Sequence, residues 1–525
     1  WLTPFYINYY YFGHLTAAVL TKLSLLSSSI TFDLMLATIA ALSFVSAFSI
    51  GANLINSKWK MENVPPQRDP ETGGRKWKII LGGLLTGFIL NFAGNLHAIY
   101  LFFKPYPNEN PVPFWQLIFS PSSFPNSYWY PNATRFIENT IHEFPLYSYV
   151  VSDLHGHVLD IPFVLLIIAV LLSLLLDLKI KNLKLKIPLI SFLLALMYMT
   201  NAWDGIIYFI LASIIIVFVK FRSIIPSSKS IKYYVLSILQ NKAYILHTTY
   251  YILFLGLGFI IFTLPFNLNF KPFASGIGVL CAPEFLTNIG RVGPFLFEKD
   301  HCQHSPLWQL FILYGFFYFW VVSFIIFLKL NAKRYTLSAS DIFVGILIFL
   351  STLLIIIPEL IYVKDIYPAH YRANTMFKLV YQSFIMLSLS SGYIIIRLFL
   401  NHKSLIFNRY LKLGYLFIGS ICLLVVFLYP YFAINSYFGN LKIYSGLDGI
   451  KYLKASYPND YEAILWINKN IKNQPIVLEA QGDSYTDYGR VSANTGLPTV
   501  LGWTVHEWLW RGTYDIPSPR IEEVT

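Results

Sequence analysis

The sequence predicts an all-α polytopic membrane protein of about ten transmembrane helices, each of roughly 20 residues, with a small extracytoplasmic α/β domain at its C-terminal end. Its 525 residues are 56% hydrophobic and only 13% charged, whereas a soluble domain carries about 25% charged residues. Mean hydropathy is +0.55. Apolar runs long enough to cross a hydrocarbon core of about 30 Å as helix recur along most of the chain. This composition excludes a disordered chain, a collagen-like repeat and a disulfide-stapled miniprotein.

Taken in order, the apolar stretch Tyr9 to Leu26 contains His14, Thr16, Thr21 and Lys22, so it reads as an interfacial helix instead of a span. Spans are expected at 32–55, 79–101, 158–178, 187–201, 205–221, 245–264, 307–328, 341–361, 375–397 and 410–432. The chain thus divides into an interfacial segment (1–31), a transmembrane domain (32–432) and a soluble domain (433–525). Within the last, Tyr461 to Asn470 has the pattern of an amphipathic helix and Pro475 to Glu479 that of a strand. The chain opens on Trp1 and stops at Thr525 inside that domain, so both ends read as cut.

Lysine and arginine number 39 against 27 acidic residues, a net charge of +12. If residues 1–30 lie outside, alternation puts Lys58, Lys60, Arg68, Arg75, Lys76 and Lys78 inside, with Lys179, Lys181, Lys184 and Lys186. About 22 basic residues then lie inside and about nine outside, which is the positive-inside bias of a multi-pass plasma-membrane protein. No nucleic-acid partner is needed to explain the charge. The long loops 102–157 and 265–306, the segment 362–374 and everything after Phe432 are expected outside. Cys281 and Cys302 share one of these loops, which leaves a disulfide and two separate thiols both open.

Ionisable residues at membrane depth are costly and therefore mark functional sites. The densest group is Asp153-Leu154-His155-Gly156-His157, followed by Asp160. In an extended segment, alternate residues project to one side, so Asp153 and His155 can meet on a divalent cation with His157 beside them. Helix capping by Asp153 is the alternative. His142 and Glu143 supply an acid/base pair just upstream. Asn201-Ala202-Trp203-Asp204-Gly205 puts another carboxylate at the same depth, although a tight turn with an interfacial tryptophan would read the same way. Arg372, Asn374 and Lys378 suit an anionic headgroup. In the tail, Trp503, His506, Glu507 and Arg511 combine rings with charges as carbohydrate or lipid-headgroup sites do. Walker, dinucleotide-binding, GxSxG and HExxH patterns are absent.

These residues resemble the YYY family of uncharacterised archaeal and Chloroflexi membrane proteins. The resemblance rests on Tyr9-Tyr10-Tyr11-Phe12-Gly13, Glu143-Phe144-Pro145, Asp153 to Leu159, Asn201 to Asp204, Arg372 to Lys378, and Glu479 through Gly512. It marks Tyr10 and Tyr11 as substrate-facing. The order of features is also similar to the C-class glycosyltransferases, which act outside the membrane on a polyprenyl-linked sugar. In that likeness Tyr9 to Leu26 is the interfacial helix of the first external loop, whose acidic start would precede Trp1. Asp153-Leu154-His155 resembles the Asp-x-His metal pair of archaeal oligosaccharyltransferases, and Trp203-Asp204-Gly205 stands where they carry Trp-Gly-Gly-Tyr, Asp204 being a departure.

The resemblance implies a metal-assisted glycosyltransferase that takes its sugar from a polyprenyl-phosphate donor among the membrane lipids. Asp153 and His155 would hold the metal, and Arg372 with Lys378 the phosphate. A transporter or lipid flippase using Asp153, Asp204 and Glu359 as ion sites is the competing expectation. A metal-dependent hydrolase is a third.

Overall fold

A computed structural model describes residues 2–61, 72–177, 183–222, 242–332, 337–400 and 409–524. Arg68, Lys179 and Lys181, and the last residue of the span expected at 158–178, lie outside these. Among the described residues, eight helices are long and apolar enough to cross a membrane. They belong to α2 (Ser28–Met61), α6 (Ile161–Asp177, continuous with the short α5, Gly156–Leu159), α8 (Ala202–Arg222), α9 (Lys242–Asn267), α11 (Leu307–Leu330), α12 (Ala339–Ile356), α13 (Ala373–Leu400) and α14 (Arg409–Tyr437).

Two expected spans differ from a plain helix. The one at 79–101 breaks: α3 (Thr72–Phe92) ends, and a 3-10 helix over Leu96–Phe102 leaves at 70°. The Asn95 side chain forces this, accepting from the His97 amide (3.1 Å) and donating to the Ala133 carbonyl (2.8 Å). The apolar part of α7 (Leu183–Thr200) is the short run Leu185–Thr200. Before the bundle, α1 (Phe12–Ser24) occupies the place of the expected interfacial helix.

At the centre lies α13, whose membrane-spanning stretch is entirely buried. It packs against α2, α3, α8, α11 and α12. It is the least apolar of the spans and carries Gln382, Ser383, Ser388, Ser390 and Ser391, all buried. A helix shielded from lipid can hold such groups, and small side chains let neighbours approach closely. Gly392 shows how closely: a Cβ there would sit 2.2 Å from Thr86 Oγ1 of α3.

The far end of α13 is pinned by Arg397, which is buried against Asp341 (3.3 Å). Asp341 also accepts from Tyr393 (2.7 Å) and completes a capping box with Ser338 at the start of α12. Removing one partner of a buried pair costs about 3–5 kcal/mol. Asp341→Ala should therefore lower the thermal unfolding midpoint of the purified protein sharply, and Asp341→Asn, which keeps a capping group, by less.

The connections 103–144, 268–306 and 360–372 interlock: Gln303 donates to the Glu138 carbonyl (3.1 Å), and Tyr371 accepts from the Gln303 amide (3.1 Å). Two of them share a four-stranded sheet in the order β2-β3-β1-β4, built from Ile277–Val279, Arg291–Val292, Phe295–Leu296 and Ile361–Val363. Strands this short carry no periodicity that a sequence could reveal. The sheet is stapled by a Cys281–Cys302 disulfide, which decides between the two readings of these cysteines.

The tail departs from expectation. Its helix Pro458–Asn470 covers the predicted one, but Pro475–Glu479 makes only an isolated bridge, Val477 to Thr499. Ile476 and Leu478, which share one face, are exposed, and Val477 and Glu479 on the other are only half-buried, so the segment makes a single bridge and no sheet forms. Among the described residues the tail contains short helices and isolated bridges.

Glu298 joins strands and loop, accepting from Tyr362 (2.7 Å) and pairing with Lys364. Burial alone would raise its pKa, but the bonds from Lys364 and Tyr362 win and hold the carboxyl below its ordinary 4.5. A depressed carboxylate stabilises above its unfolded pKa and ceases to do so as pH falls through the folded one. Hydrogen exchange of residues 277–302 should therefore accelerate as pH falls from the ordinary value of 4.5, relative to intrinsic rates. Glu298→Gln should remove that acid dependence.

Candidate functional site

The site is built where three helix breaks meet. After α4 (Pro145–Val150), Ser152 takes a positive φ of 56° and turns the chain, and the Asp153 amide donates back to the Ser148 carbonyl (2.9 Å). His155 is extended and starts α5. Gly156 follows because a Cβ there would lie 2.3 Å from the Thr200 carbonyl at the end of α7. Gly13, from the tyrosine-rich motif, packs against Leu159 and the same Thr200, where a Cβ would approach to 2.8 Å. Two glycines distant in sequence thus press α1, α5 and the end of α7 together.

This packing brings one ligand atom each from Glu143, Asp153 and His157 within 4.8 Å of one another. Asp153 binds His155 Nδ1 through one oxygen and lies 3.5 Å from His157 Nε2 through the other. His157 is buried, its ring edge-on to Phe377 (4.7 Å) and Tyr381 (4.9 Å), and its Nδ1 has no hydrogen-bond partner. Burial alone would raise the Asp153 pKa; the His155 hydrogen bond, then the His157, His155 and Lys378 charges, outweigh it and hold it low. Glu143 goes the other way: burial raises it, and the Arg135 guanidinium at 2.6 Å only partly offsets this.

Two carboxylates and an imidazole are the donor set of a divalent cation such as Mn²⁺ or Zn²⁺. The residues present fit such an ion, since one carboxylate is already ionised and the imidazole is fixed in place by aromatic walls. The group that could hold an ion is Glu143, Asp153 and His157, and the half-exposed His155 of the expected pair bonds Asp153 from outside.

Other expected residues fall into three groups. Lys378 on α13 is half-buried, and its charge acts on Asp204, Asp153 and Glu143. Tyr485, Trp503 and His506 form a ring cluster with centroids 5.2–5.7 Å apart. The cluster borders the site, since Asp153 raises the Tyr485 phenol after burial does, and His155 depresses His506 after burial does.

A second group is tied down. Arg372 is fully buried and spends its guanidinium on Glu359 (2.9 Å) and Ser305 (3.1 Å). Asn374 bonds Asp365 (2.6 Å). Glu507 pairs with Arg511 (3.3 Å), which also donates to the Tyr6 carbonyl (2.9 Å). Tyr10 is buried against Trp510 and Phe270, and Tyr11 leans on Phe266. His142 is held by Tyr314 (2.8 Å), and burial depresses its pKa to about 3.

The third group, Asp204 with its half-buried neighbour Trp203 at the start of α8, lies in the bundle behind Lys378. Among the residues that sequence reasoning missed, Arg135 carries no pattern linking it to Glu143. Tyr9 was legible only as part of the triplet; Asp153 raises its phenol further after burial does.

The profile of one family, described as uncharacterized membrane protein (DUF2298), matches residues 1–339 and 327–387. No curated protein and no solved structure matches the chain.

Mn²⁺ titrated into the purified full chain should bind at least about tenfold more weakly in Asp153→Ala and in Glu143→Ala than in the wild type. Paramagnetic resonance of the free aquo ion reads this directly. Equal binding in all three proteins would mean that the three side chains hold no metal.

Proposed function

The chain belongs to the DUF2298 family of uncharacterized membrane proteins, and from this membership and the site above we propose that it is a membrane-embedded, metal-assisted glycosyltransferase using a polyprenyl-phosphate sugar. The observation that carries the reading is the convergence of Glu143, Asp153 and His157 beside Lys378, with the tail's rings at the rim. A lipid-borne donor suits a site reached between helices and needs no nucleotide-binding fold. Its phosphate develops negative charge as the sugar leaves, and preorganised positive groups stabilise that charge. A divalent cation, when bound, would supply part of that charge.

The protein's own groups have distinct tasks in this scheme. Glu143, Asp153 and His157 hold the metal, and Arg135 fixes Glu143. Lys378 faces the phosphate. Tyr9, with its phenol kept neutral, donates a hydrogen bond towards the site. The Tyr485, Trp503 and His506 faces stack on the sugar, as aromatic rings do on apolar pyranose faces. This face of the membrane is read as the extracytoplasmic one, in keeping with the positive-inside bias.

The test is transfer by the full chain in proteoliposomes, supplied with radiolabelled polyprenyl-phosphate sugars and membrane extracts as acceptors. Label should move to an acceptor, with a metal requirement, and Asp153→Asn should abolish it. Release of free sugar without an acceptor would make the enzyme a hydrolase; no reaction with any donor would overturn the proposal. Trp503→Ala should raise the donor KM about tenfold, corresponding to roughly 1.4 kcal/mol of stacking, with kcat little changed.

A further inference from the structure

Behind the site lies a polar cluster that the transfer reading leaves unused. Asp160 follows α5, Asn201 and Asp204 flank the break between α7 and α8, and Gln382 projects from α13. Asp160, Asp204 and Gln382 are fully buried, and Asn201 is 1% exposed. All four carboxylate oxygens, both Asn201 amide atoms and Gln382 Nε2 have no hydrogen-bond partner in good geometry. In looser geometry the side chains of Asp160, Asn201 and Gln382 each come within hydrogen-bonding reach of Asp204. Tyr208 donates to Gln382 Oε1 (2.9 Å), fixing the amide.

Natural interiors leave few polar atoms unsatisfied, and uncompensated buried carboxylates are expensive. Here the unsatisfied atoms gather at one place, and most are oxygens. Oxygen-only donors select hard cations over transition metals. The charge balance selects further: were both carboxylates ionised, the nearby Lys378 ammonium would leave one negative charge for a cation to neutralise. The helix breaks supply the remaining feature, since irregular backbone at membrane depth is where hydrated alkali ions lose their water shells to protein oxygens.

We infer that Asp160, Asp204 and the Asn201 side chain form a binding site for a monovalent alkali cation, with Na⁺ the ion to test first. The inference is independent of the transfer reaction. Because α5 carries His157 and α13 carries Lys378, an ion here ties together the elements that build the site above.

The experiment is thermal unfolding of the purified full chain in NaCl, KCl, MgCl₂, CaCl₂ and choline chloride at one ionic strength. A ligand that binds only the folded state raises the midpoint with its concentration. Na⁺ should raise it by several degrees over choline and in a saturable manner, with K⁺ weaker. The rise should vanish in Asp160→Asn and Asp204→Asn and persist in Asp153→Ala, which alters the divalent site only. The wild-type salt series decides the matter even if a variant fails to fold. Equal midpoints in Na⁺ and choline, a response confined to Ca²⁺ or Mg²⁺, or a Na⁺ response unchanged in both aspartate variants would each overturn the inference.

Discussion

Desolvation is the constraint on which the rest of the structure depends. A helix that carries Gln382, a run of serines and Arg397 through an apolar bundle is unstable against lipid, where no water can satisfy those groups. It persists because α2, α3, α8, α11 and α12 surround it and present their own small or polar side chains, Thr86 and Asp341 among them. Once α13 is enclosed, its loop end can offer Lys378, Phe377 and Tyr381 to whatever packs above it. The His157 ring is held by that platform, and Asp153 is held by the two histidines. The chemistry at the rim thus depends on a shield several helical turns below.

The same constraint explains what was legible in the sequence. Spans announce themselves because lipid tolerates nothing but apolar helix over that length, and Asp153, His155 and His157 stood out against such a background. What the sequence could not convey was partnership. Arg372 looked like a phosphate ligand, yet it serves Glu359 and Ser305. Arg135 looked like one more loop charge, yet it holds Glu143. Both pairings are set by how the loops fold over one another, and no local pattern encodes that. The break at Asn95 was similarly hidden, because it follows from a hydrogen bond to Ala133 in a distant loop.

The tail fared worst for a related reason. Alternation predicts a strand only when one of its faces is buried, and Val477 bridges Thr499, which in turn bridges Leu2, without any of them joining a sheet. Their role is local: the tail brings Tyr485, Trp503 and His506 to the rim, on a scaffold of helix ends and single bridges. Aromatic residues in that region were readable as a binding surface, but which ring faces Asp153 was not.

The contacts between residues 2–8 and residues 499–510 have a consequence for how the molecule comes into being. Leu2 is buried and bridges Thr499, and Asn8 donates to the Trp510 carbonyl across a separation of 502 residues. The segment bearing Tyr9 is synthesised before the spans, and its partners after them. Every span between them must be inserted before the clasp can close, so the earlier segment waits, with its rings uncovered, until residues 499–510 are made. Closure of the clasp then reports that the spans between the two segments are in place: a chain misinserted anywhere between them cannot assemble the rim.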